Sequence, residues 1–297
     1  MTVIANSYFS GAGLFDIGFR DAGIQLQQSF EIDKVCCKTQ RANFEHEVIE
    51  CDMTMKLVKD EKKAPVMIGT YPCKEYSNAA HIHRERKIIK GDSLFLHFFR
   101  HIAIQQPEVY IIENVPGLRA YPVVMEAMSE LPDYYVSIFC PVNANLWLPQ
   151  ERERLILIGS KKTFTWRAPE SKKRITLADI IEKNPEVAIP QYVYNRLQRK
   201  GNYRDLPIIS DPEKGDNAPC VVAHYAKDRG TRLVKDKNFP HGVRPYTVRE
   251  YARLMGVPDD FVFCGTDCQN YQMIGNGVPV PIGRWLGGEL KRYFRRQ

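Results

Sequence analysis

The sequence predicts an open α/β sheet, mostly parallel with helices on both faces, carrying a smaller second lobe. Three observations predict it. From residue 2 to about 159, short apolar runs alternate with helical patterns, as βα units do when they lay out a parallel sheet. Small residues, Ser10-Gly11-Ala12-Gly13, join the first such run to the first helical pattern. Near Trp166-Arg167-Ala168-Pro169 the alternation stops, and up to about residue 246 the chain carries Lys/Arg clusters, short apolar runs and turn dipeptides such as Asp211-Pro212 and Lys214-Gly215.

Taken in order, Thr2 to Phe9 reads as a strand, followed by a helix through Leu14, Ile17 and Gly18 with Gly23 as C-cap. Gln27 to Glu31 reads as a strand with an acidic end, Lys34 to Asn43 as a helix, and Val48 to Asp52 as a second strand with an acidic end. Further strands are predicted at 64–69, 108–113, 134–142 and 154–159, with helices at 91–105 and 121–131. After Tyr246, Thr247 and Glu250 form the S/T-x-x-E capping box of a helix that ends near Gly256. The stretch from Gln272 to Pro279 leads into an amphipathic helix with Ile282, Trp285, Leu286 and Leu290, expected to pack back on the first lobe. The expected division is residues 1–168 with 268–297 as the main domain and 169–267 as the smaller one.

With 297 residues the chain is long enough for two such lobes. A net charge of +7 and a pI near 8.9 favour a polyanionic partner, though many soluble proteins carry such a charge without one. The eight cysteines form no CxxC pair and no repeated ligand spacing, so no metal is expected. No basic-then-apolar leader and no apolar stretch of membrane-spanning length is found, which predicts a cytoplasmic protein with reduced thiols.

The chemistry gathers at predicted strand ends, where open α/β sheets collect their ligands. The loop Phe9 to Gly13 lets backbone approach a ligand, but Asp16 stands where a third glycine of G-x-G-x-x-G would fall, and a plain structural turn is the competing reading. Glu31 can accept from a ribose diol and Asp52 from an exocyclic amine, and each alone reads equally as a solvated strand end. Together with the loop they point to an adenosyl ligand. Cys73 follows Pro72, whose fixed φ limits where the thiol points, and Lys74, His81, His83, Arg84 and Arg86 could favour a thiolate, clamp a phosphate backbone or form a solvated loop. Glu113 ends an apolar strand, where desolvation raises a carboxyl pKa toward neutrality; it reads equally as a structural carboxylate. In Gln150-Glu151-Arg152-Glu153-Arg154 an extended backbone puts Gln150, Arg152 and Arg154 on one face, able to reach a base carbonyl or phosphates, or to form an interleaved surface strand.

In this order the segments resemble the DNA cytosine-5 methyltransferase family across most of the chain. Phe9-Ser10-Gly11-Ala12-Gly13 resembles its F-x-G-x-G loop, Pro72-Cys73 its Pro-Cys nucleophile, Glu113-Asn114-Val115 its E-N-V and Gln150 to Arg154 its Q-x-R-x-R. Arg249 to Asp259 resembles its R-E-x-x-R-L-x-G-F-P segment, and Gly275-Asn276-Gly277-Val278-Pro279 its G-N-x-V-P. Six ordered matches leave chance no serious part.

The resemblance implies a Rossmann-like S-adenosylmethionine-dependent methyltransferase fold with a target-recognition domain at 169–267. It implies S-adenosylmethionine as donor, a flipped cytosine in double-stranded DNA, and a transient Cys73 adduct at C6, with Glu113 acting at N3, Arg154 on the O2 side and Arg152 supporting the same pocket. Cofactor contacts carried over are Phe9 at the adenine ring, Ser10, Gly11, Ala12, Gly13 and Leu14 in and after the loop, Glu31 at the ribose, Asp52 at the adenine amine, and Ile32 and Met53 as further cofactor-binding residues. Pro72, Leu94, Asn276 and Val278 complete the set, and residues 74–92 correspond to the mobile loop over the base.

Two departures stand out. Lys74 replaces the Gln that usually follows the nucleophile, placing a charge beside it, and Val257 replaces a common Phe. In the short variable lobe, Lys172, Lys173, Arg174, Arg196, Arg199, Lys200 and Arg204 are expected to form a basic face. The implied setting is a bacterial or phage-borne monomer, alone or with a cognate restriction endonuclease. A tRNA cytosine-5 methylase and a non-catalytic nucleic-acid-binding relative are the competing functions.

Overall fold

The computed structural model describes residues 2–72, 93–171, 175–200 and 205–296. Strand β1 (Ile4–Tyr8) leads through the glycine loop into α1 (Leu14–Asp21), whose Leu14, Phe15, Ile17 and Phe19 are buried. β2 (Gln25–Glu31) is followed by α2 (Lys34–Asn43), which starts where the Asp33 side chain accepts from the N–H groups of Val35 and Cys36. Next come β3 (Glu47–Glu50), β4 (Val66–Gly69), α3 (Ser93–Gln105), β5 (Val109–Asn114), α4 (Pro122–Ser129), β6 (Tyr135–Asn143) and β7 (Glu153–Ser160).

These strands form one seven-stranded sheet in the order β3-β2-β1-β4-β5-β7-β6. The first five are parallel; β7 runs antiparallel between β5 and β6. Every residue of β4 and β5 is buried, so these strands read as continuous apolar runs rather than as alternation.

The chain divides into two compact units, one of residues 1–143, 153–169 and 282–297, the other of 144–152 and 170–281. The second unit contains α5 (Leu177–Ile180), α6 (Gln191–Leu197), β8 (Ile208–Ser210), β9 (Arg232–Lys235), β10 (Val243–Pro245), α7 (Val248–Arg253) and α8 (Asp267–Asn276), with its strands in a sheet ordered β10-β9-β8. Its most buried cation, Arg244, is fully enclosed and makes two bonds of 2.7 Å to the Glu250 carboxylate and one of 2.8 Å to Asp236. Glu250 also closes the predicted capping box with Thr247.

From Ile282 onward, α9 (Val280–Arg295) belongs to the first unit, as its apolar stripe predicts. It lies close enough to α1 that a Cβ on Gly283 would come within 2.5 Å of the Phe15 carbonyl oxygen.

Three local expectations change. Phe9 leaves the predicted strand, because its φ of 56° turns the chain into the glycine loop. Residues 267–276 form α8, where the sequence reading had a lead-in segment; Thr266 and Gln269 make a capping box there. By packing, residues 144–152 and 268–281 lie with the second unit, whereas the sequence reading placed them in the main domain. Among the described residues, no helix is long and apolar enough to cross a membrane.

Candidate active site

Strand order reverses at β1, which lies between β2 and β4, so the segments leaving β1 and β4 open at a switch point of the sheet. Tyr8 stands in register with both Phe30 and Gly69, and Gly69 with Ile112, so the carboxyl ends of β1, β2, β4 and β5 lie side by side. Thr70 ties two of these tips together, donating from N to the Tyr8 carbonyl at 3.2 Å and from Oγ1 to the Phe9 carbonyl at 2.9 Å.

The glycine loop is held from outside itself. Gly11 and Gly13 have φ of 56° and 80°, a left-handed geometry that glycine adopts without Cβ strain. Buried Gln40 of α2 donates to the Gly11 carbonyl at 2.6 Å and to Ser10 Oγ at 2.8 Å, while its own carbonyl accepts from Ser29 Oγ. Ser10, Ala12 and Leu14 are buried, and Phe9 is half-buried with its ring 6.5 Å from that of Phe98. A Cβ on Gly11 would meet nothing within 4 Å, so the loop faces open space there.

Glu31, at the tip of β2, is part of the same construction. Its Oε2 accepts from Gly11 N at 2.7 Å and its Oε1 from Ile32 N and Asp33 N, both at 2.8 Å. Burial pushes its carboxyl pKa up, and the N–H groups of Asp33, Gly11 and Ile32 oppose that rise. Ile32 beside it is 62% exposed, a large apolar side chain left in the open. Past β3, Asp52 is exposed and accepts from Thr54 N at 2.8 Å, which holds its carboxyl below the usual range. Met53 is buried in the main core, and Leu94 at the start of α3 is half-buried against it.

At the tip of β4, Tyr71 is buried and Pro72 is exposed. Asn114 Nδ2 donates to the Tyr71 carbonyl at 3.4 Å, so this side chain fixes the backbone two residues before the cysteine. Cys73 itself lies outside the described residues, as do Lys74, His81, His83, Arg84, Arg86 and the rest of 74–92. Glu113 is 6% exposed, and Arg154 Nε of β7 stands 2.8 Å from its Oε1. The antiparallel pairing makes this meeting possible, with Glu113 opposite Ile156 and Asn114 opposite Leu155.

The remaining residues of Q-x-R-x-R have a different setting. Arg152, 2% exposed in the second unit, donates through Nη1 to the Val221 carbonyl and through Nη2 to those of Gly275 at 3.0 Å and Gly277 at 2.7 Å. Gln150 donates to the Leu254 carbonyl and accepts from Val221 N at 3.3 Å. Asn276, exposed at the end of α8, and Val278, buried, flank the carbonyls that Arg152 gathers. In the expected basic face, Arg196 is ion-paired with Asp228, Arg199 and Lys200 are exposed, and Lys172, Lys173, Arg174 and Arg204 lie outside the described residues.

Sequence reasoning missed Gln40, Tyr8, Glu61, Arg100 and His101, all of which hold strand tips through polar bonds. For Gln40, Arg100 and His101 the available signal was a polar residue inside a helix, as in α3, where His101 shares the buried face with Phe98, Ile102 and Gln105; Tyr8 and Glu61 lie outside the α-helices and gave no such signal.

A mostly parallel sheet with a glycine loop at its switch point, acidic residues at or just past the next two strand tips and a carboxylate–arginine pair further along defines an S-adenosylmethionine-dependent methyltransferase fold. Solved structures share it over 99% of this chain: the Entamoeba histolytica methyltransferase EhMeth has a TM-score of 0.82 at 19% identity, covering 99% of that chain. The Dnmt2 methyltransferase of S. pombe has a TM-score of 0.79 at 16% identity, also covering 99% of that chain.

The chain belongs to the C-5 cytosine-specific DNA methylase family, which it matches over residues 5–292. It is 30% identical to the type II methyltransferase M1.HphI of Haemophilus parahaemolyticus, over 91% of this chain and 82% of that one. With M.HpaII of Haemophilus parainfluenzae it shares 29% identity over 95% of this chain and 87% of the relative. Membership makes it a methyltransferase acting on C5 of cytosine in DNA, with S-adenosylmethionine as the donor that the family implies. The resemblance drawn from the six motifs and the α/β fold expected from it are both borne out.

Proposed function

We propose that this chain methylates a cytosine turned out of duplex DNA, through a transient covalent bond from Cys73 to C6. The observation that carries the reading is the Glu113–Arg154 pair of 2.8 Å at the tips of β5 and β7, one strand from the β4 tip that leads into Cys73. Cytosine C5 is a poor nucleophile. Addition of the Cys73 thiolate to C6, with proton delivery from Glu113 to N3, converts C5 into an enamine-like carbon. Arg154, 2.8 Å from Glu113, balances the carboxylate charge left once the proton is on N3, and offers donors toward the O2 side of the ring. After C5 has taken the methyl group, Glu113 recovers the N3 proton, water accepts the C5 proton, and the electrons of that C–H bond form the C5–C6 double bond as the C6–S bond breaks and Cys73 leaves as thiolate, restoring aromaticity. The cytosine must leave the duplex stack for its ring face to be reached, at about a few kcal/mol.

The residues at the first three strand tips fit the donor. The loop faces open space at Gly11, Ile32 presents an exposed apolar surface, and Asp52 is exposed past β3. Glu31 has about four lone-pair sites, of which backbone N–H groups occupy three, leaving acceptor capacity for a ribose hydroxyl. Phe9, Ser10, Ala12, Gly13, Leu14 and Met53 shape the loop and floor, with Pro72 and Leu94 as further contacts. Bound there, S-adenosylmethionine supplies the electrophilic methyl group.

Arg152 acts in this reading as a support, since it gathers the backbone around Asn276 and Val278. The second unit is the target-recognition module. The type II naming of the relatives extends the proposal to a restriction-modification setting with a cognate endonuclease, and one transfer per base fits a monomer.

A 5-fluorocytosine duplex tests the mechanism. With S-adenosylmethionine present it should trap a covalent complex that Cys73→Ala abolishes, and bisulfite sequencing of DNA from expressing cells should read the target site. Methyl label entering tRNA alone, or donor binding without any trapped complex, would overturn the proposal.

A further inference from the structure

Helix α3 turns an apolar face to the sheet through Phe95, Phe98 and Ile102, yet places two polar side chains, His101 and Gln105, among its buried residues, with Arg100 beside them. His101 Nδ1 lies 2.8 Å from Glu61 Oε1, with both side chains fully buried. The other oxygen of Glu61 accepts from Tyr8 Oη at 2.8 Å and from Gln105 Nε2 at 2.5 Å. Arg100 Nη2 donates to the Lys56 carbonyl at 2.6 Å and the Met53 carbonyl at 3.3 Å, and stands 2.9 Å from His101 Nε2.

Buried polar groups cost stability unless their partners are in place, so the stronger effect of this network is to fix geometry. The geometry fixed here is specific. Tyr8 is the last residue of β1, stacked 4.8 Å from Phe30 and directly before Phe9 and the glycine loop. Met53 and Lys56 bound the turn that starts at Asp52, whose carbonyl accepts from Met55 N and Lys56 N at 3.0 Å each. Helix α3 thus fastens two tips that frame the proposed adenosyl site, through residues distinct from the Glu113–Arg154 pair on β5 and β7.

We infer that Arg100, His101 and Glu61 are positioning residues for the methyl donor, holding the tip of β1 and the Asp52–Lys56 turn in register. The inference rests on the reading of these tips as the S-adenosylmethionine site. Arg100 acts on the turn and the Glu61–His101 pair acts on Tyr8; neither need touch the donor.

The test is a kinetic split. Arg100→Met should raise the donor KM and the dissociation constant for S-adenosylhomocysteine by about tenfold, leaving kcat at saturating donor and the DNA KM within about twofold of wild type. Arg100→Lys, which keeps one donor able to reach a carbonyl, should recover most of that loss. Glu61→Gln keeps the shape but turns one acceptor oxygen into a donor, so it cannot accept from Tyr8, Gln105 and His101 together; it should raise the donor KM by about fivefold. If Arg100→Met fails to fold, Glu61→Gln decides alone. An unchanged donor KM in Arg100→Met or Glu61→Gln, a fall in kcat without a change in donor KM, or an Arg100→Lys no better than a folded Arg100→Met would overturn the inference. If the wild-type protein transfers methyl but Glu31→Ala and Asp52→Ala leave donor affinity unchanged, the site reading itself has failed, and that outcome is distinct.

Discussion

Arg154 and Glu113 meet at 2.8 Å across an antiparallel strand pair, each side chain nearly buried at 12% and 8% exposure. Replacing the arginine therefore strands a buried carboxylate and removes the donors proposed for O2. Arg154→Ala should lower kcat by about 10²–10³-fold with donor affinity retained, measured by tritium transfer at saturating S-adenosylmethionine. A variant with normal kcat would show that Arg154 serves only the sheet.

Glu113→Gln keeps the shape and removes the titratable proton. Turnover should fall by about 10²–10⁴-fold, while S-adenosylhomocysteine binding by calorimetry remains within about twofold. Loss of both together would indicate a folding role.

Asp16 gives a pH signature. It is fully buried, accepts from Ser7 Oγ at 2.8 Å, and its Oδ2 has no partner among the described residues. Burial raises its carboxyl from 3.8 to about 7, with the Ser7 hydroxyl opposing. Because the folded value lies above the unfolded one, its stabilising contribution is complete below about pH 4 and is lost as pH rises through about 7. Asp16→Asn does not titrate, so its stability relative to wild type should increase between about pH 4 and 7, by an amount bounded at about 4 kcal/mol. Urea midpoints across that range check it; a difference independent of pH would refute the burial argument.

Gly13 cannot take a side chain cheaply. Its φ is 80°, and an added Cβ would stand 2.7 Å from Phe44 Cε2. Gly13→Ala should cost about 1–3 kcal/mol in thermal stability and weaken donor binding, since Phe44 or the loop must shift.

Arg152→Met should leave the carbonyls of Val221, Gly275 and Gly277 without their donor. Protease sensitivity of the second unit should rise, with a stability loss of about 2–5 kcal/mol. A variant as resistant as wild type would contradict a structural role.

Legibility in the sequence followed locality. Helix α2 matches its predicted span of Lys34 to Asn43, because Asp33 and the apolar spacing are local signals, and the Thr247/Glu250 capping box is present as read. The direction of β7 was not legible, since nothing in Arg154 to Gly159 says which neighbour it joins, yet that direction brings Arg154 to Glu113. Arg152 and Arg154 looked equivalent by spacing; their environments differ because the chain changes units between them. The network of Glu61 and His101 depends on residues 40 apart, beyond any local pattern.

The same change of units between residues 152 and 153 bears on modular exchange. The second unit is built from two stretches, 144–152 and 170–281. A chimera that transplants only the longer stretch would inherit the carbonyls of Val221, Gly275 and Gly277 while keeping the host's Arg152 and Gln150. The cut that preserves the module takes the short stretch along with the long one and leaves Arg154 with its host.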